Sequence, residues 1–204
     1  MNQADKPRLV VVAGPNGSGK TSITERLLMH RWMQGCTYVN PDLIARDAFG
    51  DWNSPVAVMQ AAEHAQRLRE ACLVSRTSLA FETVLSAPDK IDFIQRAKDA
   101  GFFVRVFFVG TDDPSINAQR VAIRVMEGGH DVPISKIIAR YYRSIAHCAD
   151  VVKIADRLYL YDNSVENMDP MLLCRFVDAN LEKRYAEIRP WAQSIVESSL
   201  AAAS

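Results

Sequence analysis

The stretch VVVAGPNGSGKTS, residues 10–22, constrains this chain more than any other. Residues 9–13 are apolar and valine-rich, and Gly14 ends the run. Successive apolar positions of this kind fit a strand buried on both faces. Gly14, Pro15, Asn16, Gly17, Ser18, Gly19, Lys20 and Thr21 then fit the pattern G-x-x-x-x-G-K-[ST]. Glycines let backbone N–H groups turn toward anionic oxygens without a Cβ clash. A helix expected over residues 19–29 presents its positive end to the same anion. Lys20 is a compact cation for the outer phosphates, and the Thr21 hydroxyl suits Mg²⁺. Residues 14–22, Ser22 included, are therefore expected to bind a nucleotide. A plain glycine-rich turn is the alternative; the strand before it and the helix after it favour the phosphate loop. The G-x-G-x-x-G spacing of a dinucleotide site is absent.

The rest of the chain alternates in type. Strands are expected at 36–40, 78–82, 102–110 and 156–164, and an edge strand at 171–177. A short helix is expected after Asn40, with others at 55–75, 89–100, 115–127, 133–147 and, at the C-terminus, 181–204. This alternation predicts an α/β fold: a three-layer sandwich of about five parallel strands flanked by helices. At 204 residues the chain is read as a single domain over 1–204, with residues 115–147 as a helical lid. Lysine plus arginine and aspartate plus glutamate each number 24. A net charge near zero gives no general pull on long nucleic acid or a membrane. With no signal peptide and no apolar run of spanning length, the expected location is cytoplasmic. Four cysteines lack metal or redox spacing and read as reduced thiols.

The fate of the terminal phosphate depends on polar groups at strand ends. An N-K-x-D guanine-reading sequence is absent, as is a strand ending in adjacent Asp and Glu. Instead, Asn40 and Asp42 follow the second strand, and Glu82 and Thr83 close the third. In an open α/β sheet these positions share one rim with the phosphate loop. A carboxylate there suits a general base acting on a substrate hydroxyl. Asp42 has a second open role, as the cap of the following helix; Glu82 has one as a salt-bridge partner. On the lid, Asn117, Arg120, Arg124 and Glu127 share one helical stripe, and Lys136, Arg140 and Arg143 a second. The turn GGHDVP joins them, with His130 expected to serve local hydrogen bonding. Closing arginines would stabilise a transferred phosphoryl group, whereas a solvated basic face is the plainer reading. Without a histidine–carboxylate cluster, Mg²⁺ is expected to arrive with ATP.

The ordered segments AGPNGSGKTS, VNPDLIA, FETVLS, RVAIRVMEGGHDVP, IIARYYRSI and DRLYLYDNS resemble the zeta toxin family of P-loop kinases. The resemblance implies ATP as phosphoryl donor and the sugar 3′-hydroxyl of UDP-N-acetylglucosamine as acceptor. It also implies an antitoxin as a protein partner. By position it implies Lys20 and Thr21 on ATP and Mg²⁺, Asp42 as catalytic base, and Glu82 as the acidic residue after the third strand. Arg124 and Arg140 would be the phosphate clamp and Glu70 a substrate contact. Apart from the resemblance, Arg120, on the same helical stripe as Arg124, is expected beside the nucleotide. After Glu82 the chain reads Thr83-Val84-Leu85-Ser86, where the well-studied toxins carry glycine, threonine and, slightly later, arginine. Another sugar, nucleotide or nucleic-acid end therefore stays open as acceptor, as does a module that binds nucleotide without transfer.

Overall fold

The computed structural model describes residues 6–49, 54–127 and 132–202. Among these residues, seven strands form one sheet in the order β2-β3-β1-β4-β5-β6-β7. These are β1 (Arg8–Ala13), β2 (Thr37–Val39), β3 (Leu79–Thr83), β4 (Phe103–Gly110), β5 (Arg157–Asp162), β6 (Met171–Val177) and β7 (Asn180–Arg184). The first five are parallel, and β6 and β7 extend the sheet antiparallel. Parallel pairing requires crossovers, which all the helices but the last supply. They are α1 (Lys20–Leu28), α2 (Pro41–Phe49), α3 (Pro55–Ser75), α4 (Pro88–Asp99), α5 (Pro114–Met126), α6 (Ile134–Ile154) and α7 (Gln193–Ala202).

The valine run of β1 explains the layering. Successive side chains of a strand point to opposite faces. Leu9, Val11 and Ala13 enter the larger core with Ile94 of α4, Val151 and Val152 of α6 and Ile195 of α7. Val10 and Val12 enter a smaller core with Ile23 and Leu27 of α1 and with Met33. β1 is thus covered on both faces, as its unbroken apolar sequence predicts. The connection from β1 leads to β2 on one side, while β3 to β4 crosses to the other. The loop after β1 therefore sits at the point where the strand order reverses, the usual ligand crevice of an open α/β sheet.

Two expectations about the C-terminal part are corrected. Residues 181–204 are not one helix: Asn180–Arg184 is β7, Pro190–Ala192 is a 3₁₀ turn, and only Gln193–Ala202 is helical. The tight turn at Asp178 and Ala179, both at positive φ, folds residues 180–184 back onto β6. Pairing with that free edge outweighs the helix-forming character of Leu-Glu-Lys-Arg. Consequently β6 is an interior strand rather than an edge.

The lid is also more deeply rooted than expected. α6 runs past His147 to Ile154, because Cys148, Val151 and Val152 continue its buried face into the main core. Its first half packs instead on α5 through Val121, Val132 and Ile137. Within the GGHDVP turn, residues 128–131, including His130, lie outside the described residues.

Candidate active site

The loop from Gly14 to Gly19 is held from outside by its own carbonyls. Asn163 Nδ2 donates to Ser18 O at 2.9 Å, and Asn117 Nδ2 donates to Asn16 O at 2.6 Å. Gly14 N donates to Thr83 O at 3.2 Å, tying the loop to the end of β3. Gly19 caps α1 in the left-handed region at φ 88°. A Cβ there would stand 2.1 Å from Asn163 Nδ2, so the position needs glycine on two counts. The first turn of α1 leaves N–H groups without intrahelical partners, facing the loop's concavity. Thr21 and Ser22 lie exposed on that turn.

Lys20 Nζ donates to Gly14 O at 2.8 Å and Pro15 O at 2.9 Å, curling over the loop. Burial lowers its pKa from 10.5 to about 8. The charges of Glu82 and Asp42 oppose that shift, and the charge of Arg124 adds to it. The same ammonium thus feels β3, α2 and α5 at once. Asp42 and Lys20 share the rim.

The strand-end groups are ordered as a chain. Tyr38 donates its hydroxyl proton to Glu82 Oε1 at 2.9 Å. Asn40 Nδ2 donates to the Tyr38 hydroxyl at 3.1 Å. Asn40 Oδ1 in turn accepts from Asp42 N at 2.9 Å and from Leu43 N at 3.4 Å. Asn40 is therefore the cap of α2, which frees Asp42 from that role. Asp42 stands exposed in the first turn. Thr83 Oγ1 accepts from Leu85 N at 3.0 Å, supporting Leu85 at a φ of 56°.

On the lid, Arg140 Nη1 reaches Asn16 Oδ1 at 3.5 Å. Arg120 Nη1 donates to Asn163 O at 2.8 Å. Arg124 is solvent-exposed on α5, and its charge acts on Lys20. Asn117 is fully buried and bonded to Thr111, whose carbonyl accepts from Tyr141 at 2.6 Å. This network fixes the start of α5 to both α6 and the phosphate loop.

Glu70 is not brought to this rim. It lies near the C-terminal end of α3, which leads into the start of β3, whereas the phosphate loop lies beyond the strand ends. Its carboxylate is gripped by Arg96 of α4 in a two-pronged pair at 2.7 and 2.9 Å. Tyr38, Asn163 and Trp191 were not among the sequence candidates. A polar turn after β5 was the sole signal for Asn163. Among the described residues, no three His, Cys, Asp or Glu side chains gather as a metal site, and no helix is long and apolar enough to cross a membrane.

A glycine-rich loop at the strand-order reversal, a lysine curled over it and helices carrying arginines above it define a P-loop kinase fold. The chain belongs to the zeta toxin family, which it matches over residues 1–168. An uncharacterized protein of Haemophilus influenzae is 27% identical over 134 residues, covering 66% of this chain and 92% of that protein. The structure of the PezAT chromosomal toxin–antitoxin system of Streptococcus pneumoniae contains a similar chain, with a TM-score of 0.61 at 14% identity. The match covers 98% of this chain and 86% of that one. The AvrRxo1-ORF1:-ORF2 complex with ATP also contains one, with a TM-score of 0.63 at 19% identity. There the match covers 87% of this chain and 61% of the other.

Proposed function

We propose that the protein is an ATP-dependent kinase that phosphorylates a hydroxyl group of a small molecule. The observation that carries the reading is Lys20 set on the phosphate loop within the fields of Asp42, Glu82 and Arg124. Phosphoryl transfer asks mainly for positioning and charge stabilisation, and this rim offers both. The N–H groups of the loop and of α1 would bind the phosphate oxygens. Lys20 would leave the Gly14 and Pro15 carbonyls for the β- and γ-phosphates. Thr21, an exposed oxygen donor beside Lys20, fits Mg²⁺, which would enter with the nucleotide and neutralise its charge.

Asp42, released from capping by Asn40, would accept the proton of the acceptor hydroxyl. The acceptor oxygen would then bond to the γ-phosphorus as the bond to the β,γ-bridging oxygen breaks, leaving ADP. Arg124 and Arg140 would face the transferred group, and Arg120 the nucleotide beside Asn163. Asn40, Glu82 and Thr83 would order the acceptor side. Membership of the family supports UDP-N-acetylglucosamine, at its sugar 3′-hydroxyl, as the acceptor within this reading. The toxin–antitoxin complex among the structural relatives supports an antitoxin as a partner.

The test is incubation with ATP, Mg²⁺ and a panel of hydroxyl acceptors, with products weighed by mass spectrometry. A phosphorylated acceptor with matching ADP is the expected result. ADP formed at one rate whatever the acceptor would mean hydrolysis, and no product at all would mean a passive binder. Either outcome overturns the kinase reading.

A further inference from the structure

We infer that Trp191, on the C-terminal segment beyond the family match, is a positioning residue for the phosphate loop, acting through Asp162 and Asn163. The inference rests on the nucleotide site proposed above.

Trp191 lies in the 3₁₀ turn before α7 and is 7% exposed. Its Nε1 donates to Asp162 Oδ2 at 2.8 Å. Asp162 ends β5 and is itself buried. The same carboxylate accepts from Ser164 Oγ at 2.7 Å and from Ser164 N at 3.2 Å. Ser164 Oγ then accepts from Asp112 N at 2.9 Å, and Arg189 pairs with Asp112. The indole ring also closes on the end of β4: a Cβ at Gly110 would meet it at 2.5 Å. One side chain therefore clamps the ends of β4 and β5.

Between the two residues so fixed lies Asn163, bonded in three directions. Its N–H donates to Gly110 O at 2.9 Å, its Nδ2 to Ser18 O at 2.9 Å, and its carbonyl accepts from Arg120 at 2.8 Å. Ser18 is fully buried, and its Oγ has no hydrogen-bond partner among the described residues. Its position thus depends on bonds to its backbone, of which the one from the Asn163 side chain reaches across from the turn after β5. The path from Trp191 to Ser18 is continuous: indole N–H, Asp162 carboxylate, the 162–164 turn, Asn163 amide, Ser18 carbonyl. A hydrophobic ring alone would fill the space beside Phe108. The indole N–H is required only for the buried carboxylate, whose Oδ2 would keep the Ser164 hydroxyl as its one donor without it, so a buried charge loses half of the hydrogen bonding on that oxygen.

The experiment is a double-mutant cycle on ATP affinity, read by titration calorimetry with Mg²⁺. Trp191→Phe keeps the ring and removes the N–H; Asn163→Ala cuts the path at the loop. Each is expected to weaken ATP binding about tenfold, and the double variant to be no weaker than Asn163→Ala alone, because linked residues do not act independently. Fold-changes that multiply, or a Trp191→Phe protein that melts lower but binds ATP as before, overturn the inference and reduce Trp191 to packing. Ser164→Ala removes a hydroxyl from a half-buried position of the same path; it is also expected to weaken binding, and unchanged affinity there counts equally against the inference should Trp191→Phe not fold. If the unaltered protein binds no ATP, the nucleotide site itself falls and this inference with it. Binding by the unaltered protein with independent variants removes the inference alone.

Discussion

Tyr38 donates a hydrogen bond from its hydroxyl to Glu82 Oε1 at 2.9 Å, and this contact gives the strand-end rim a single direction. An ionised carboxylate only accepts, so Tyr38 must donate. Burial first, and the charge of Glu82 second, push the phenol's pKa up, which keeps that proton in place. The Tyr38 oxygen is then left to accept, so Asn40 turns its NH₂ toward Tyr38 and its Oδ1 toward the start of α2. Each of the three residues has one orientation consistent with the others.

Tyr38→Phe should break this order at its centre while keeping the ring. Glu82 loses a donor and Asn40 Nδ2 an acceptor. The expected stability loss is about 1 kcal/mol, at the lower end for lost hydrogen bonds because Tyr38 is half-buried and water can reach it. Phosphoryl transfer should slow about tenfold, and ATP affinity should stay within about twofold, since the phosphate loop is untouched. Denaturant unfolding and a comparison of kcat with ATP affinity check both parts. A Tyr38→Phe enzyme with unchanged kcat would show that the chain serves stability alone.

Asp42→Asn separates catalysis from capping. Asn40 accepts from the N–H of Asp42 itself, so α2 keeps its cap in the variant. The side chain stays isosteric and exposed, and stability should move by less than about 0.5 kcal/mol. The base proposed above is lost, so transfer to the acceptor should fall by about 10² or more, with ATP affinity retained. Full activity in this variant would remove Asp42 from the reaction and leave Glu82 as the carboxylate to examine.

What could be read in advance followed the distance over which each feature is encoded. β1, the phosphate loop and α1 form one continuous stretch, and their motif and apolar run state the geometry locally. The five parallel strands are legible for the same reason: each is a short apolar run bounded by turn residues. The β6–β7 hairpin was not, because its turn is Asp178-Ala179 rather than a glycine-bearing pair and β7 is exposed and charged. The bonds from Tyr38 to Glu82 and from Asn163 to Ser18 join residues 44 and 145 positions apart, which no local pattern records. Glu70 failed in the opposite way. Its place in sequence order suggested a contact, but the direction of α3 carries it to the far end of the sheet, onto Arg96.

Gly19→Ala should harm the site more than a single methyl suggests. A left-handed φ of 88° at a non-glycine residue costs about 1–2 kcal/mol. The added Cβ would also displace the Asn163 amide, which stands 2.1 Å from its position, and so release Ser18 O. The expected result is a lower melting temperature together with at least about tenfold weaker ATP binding. Asn163→Ala clears the clash but not the backbone strain, so combining the two should recover part of the stability lost and none of the affinity. Thermal melts and calorimetric titrations of the three variants decide the matter, and a Gly19→Ala protein with unaltered affinity would contradict the account of the loop.

The lowered pKa of Lys20 makes nucleotide binding depend on pH in a definite direction. Burial brings the amine to about 8 in the free protein, against 10.5 for the ordinary group. Below about 8 folded and unfolded chains are both charged at this site, and the cost of burying the ammonium is fully present. Between about 8 and 10.5 the unfolded chain holds the extra proton, so this group's contribution to stability rises with pH across that window. A bound triphosphate acts the other way, because its negative charge favours the ammonium. Above about pH 8, then, ATP binding should take up a proton and affinity should fall, while below it affinity should be flat with respect to Lys20. Titration calorimetry at about pH 9 in two buffers of different ionisation enthalpy should report the uptake. Lys20→Arg, charged throughout this range, should abolish it. Proton uptake that is absent from the native protein, or that persists in Lys20→Arg, would place the linkage elsewhere and remove Lys20 from contact with the phosphates.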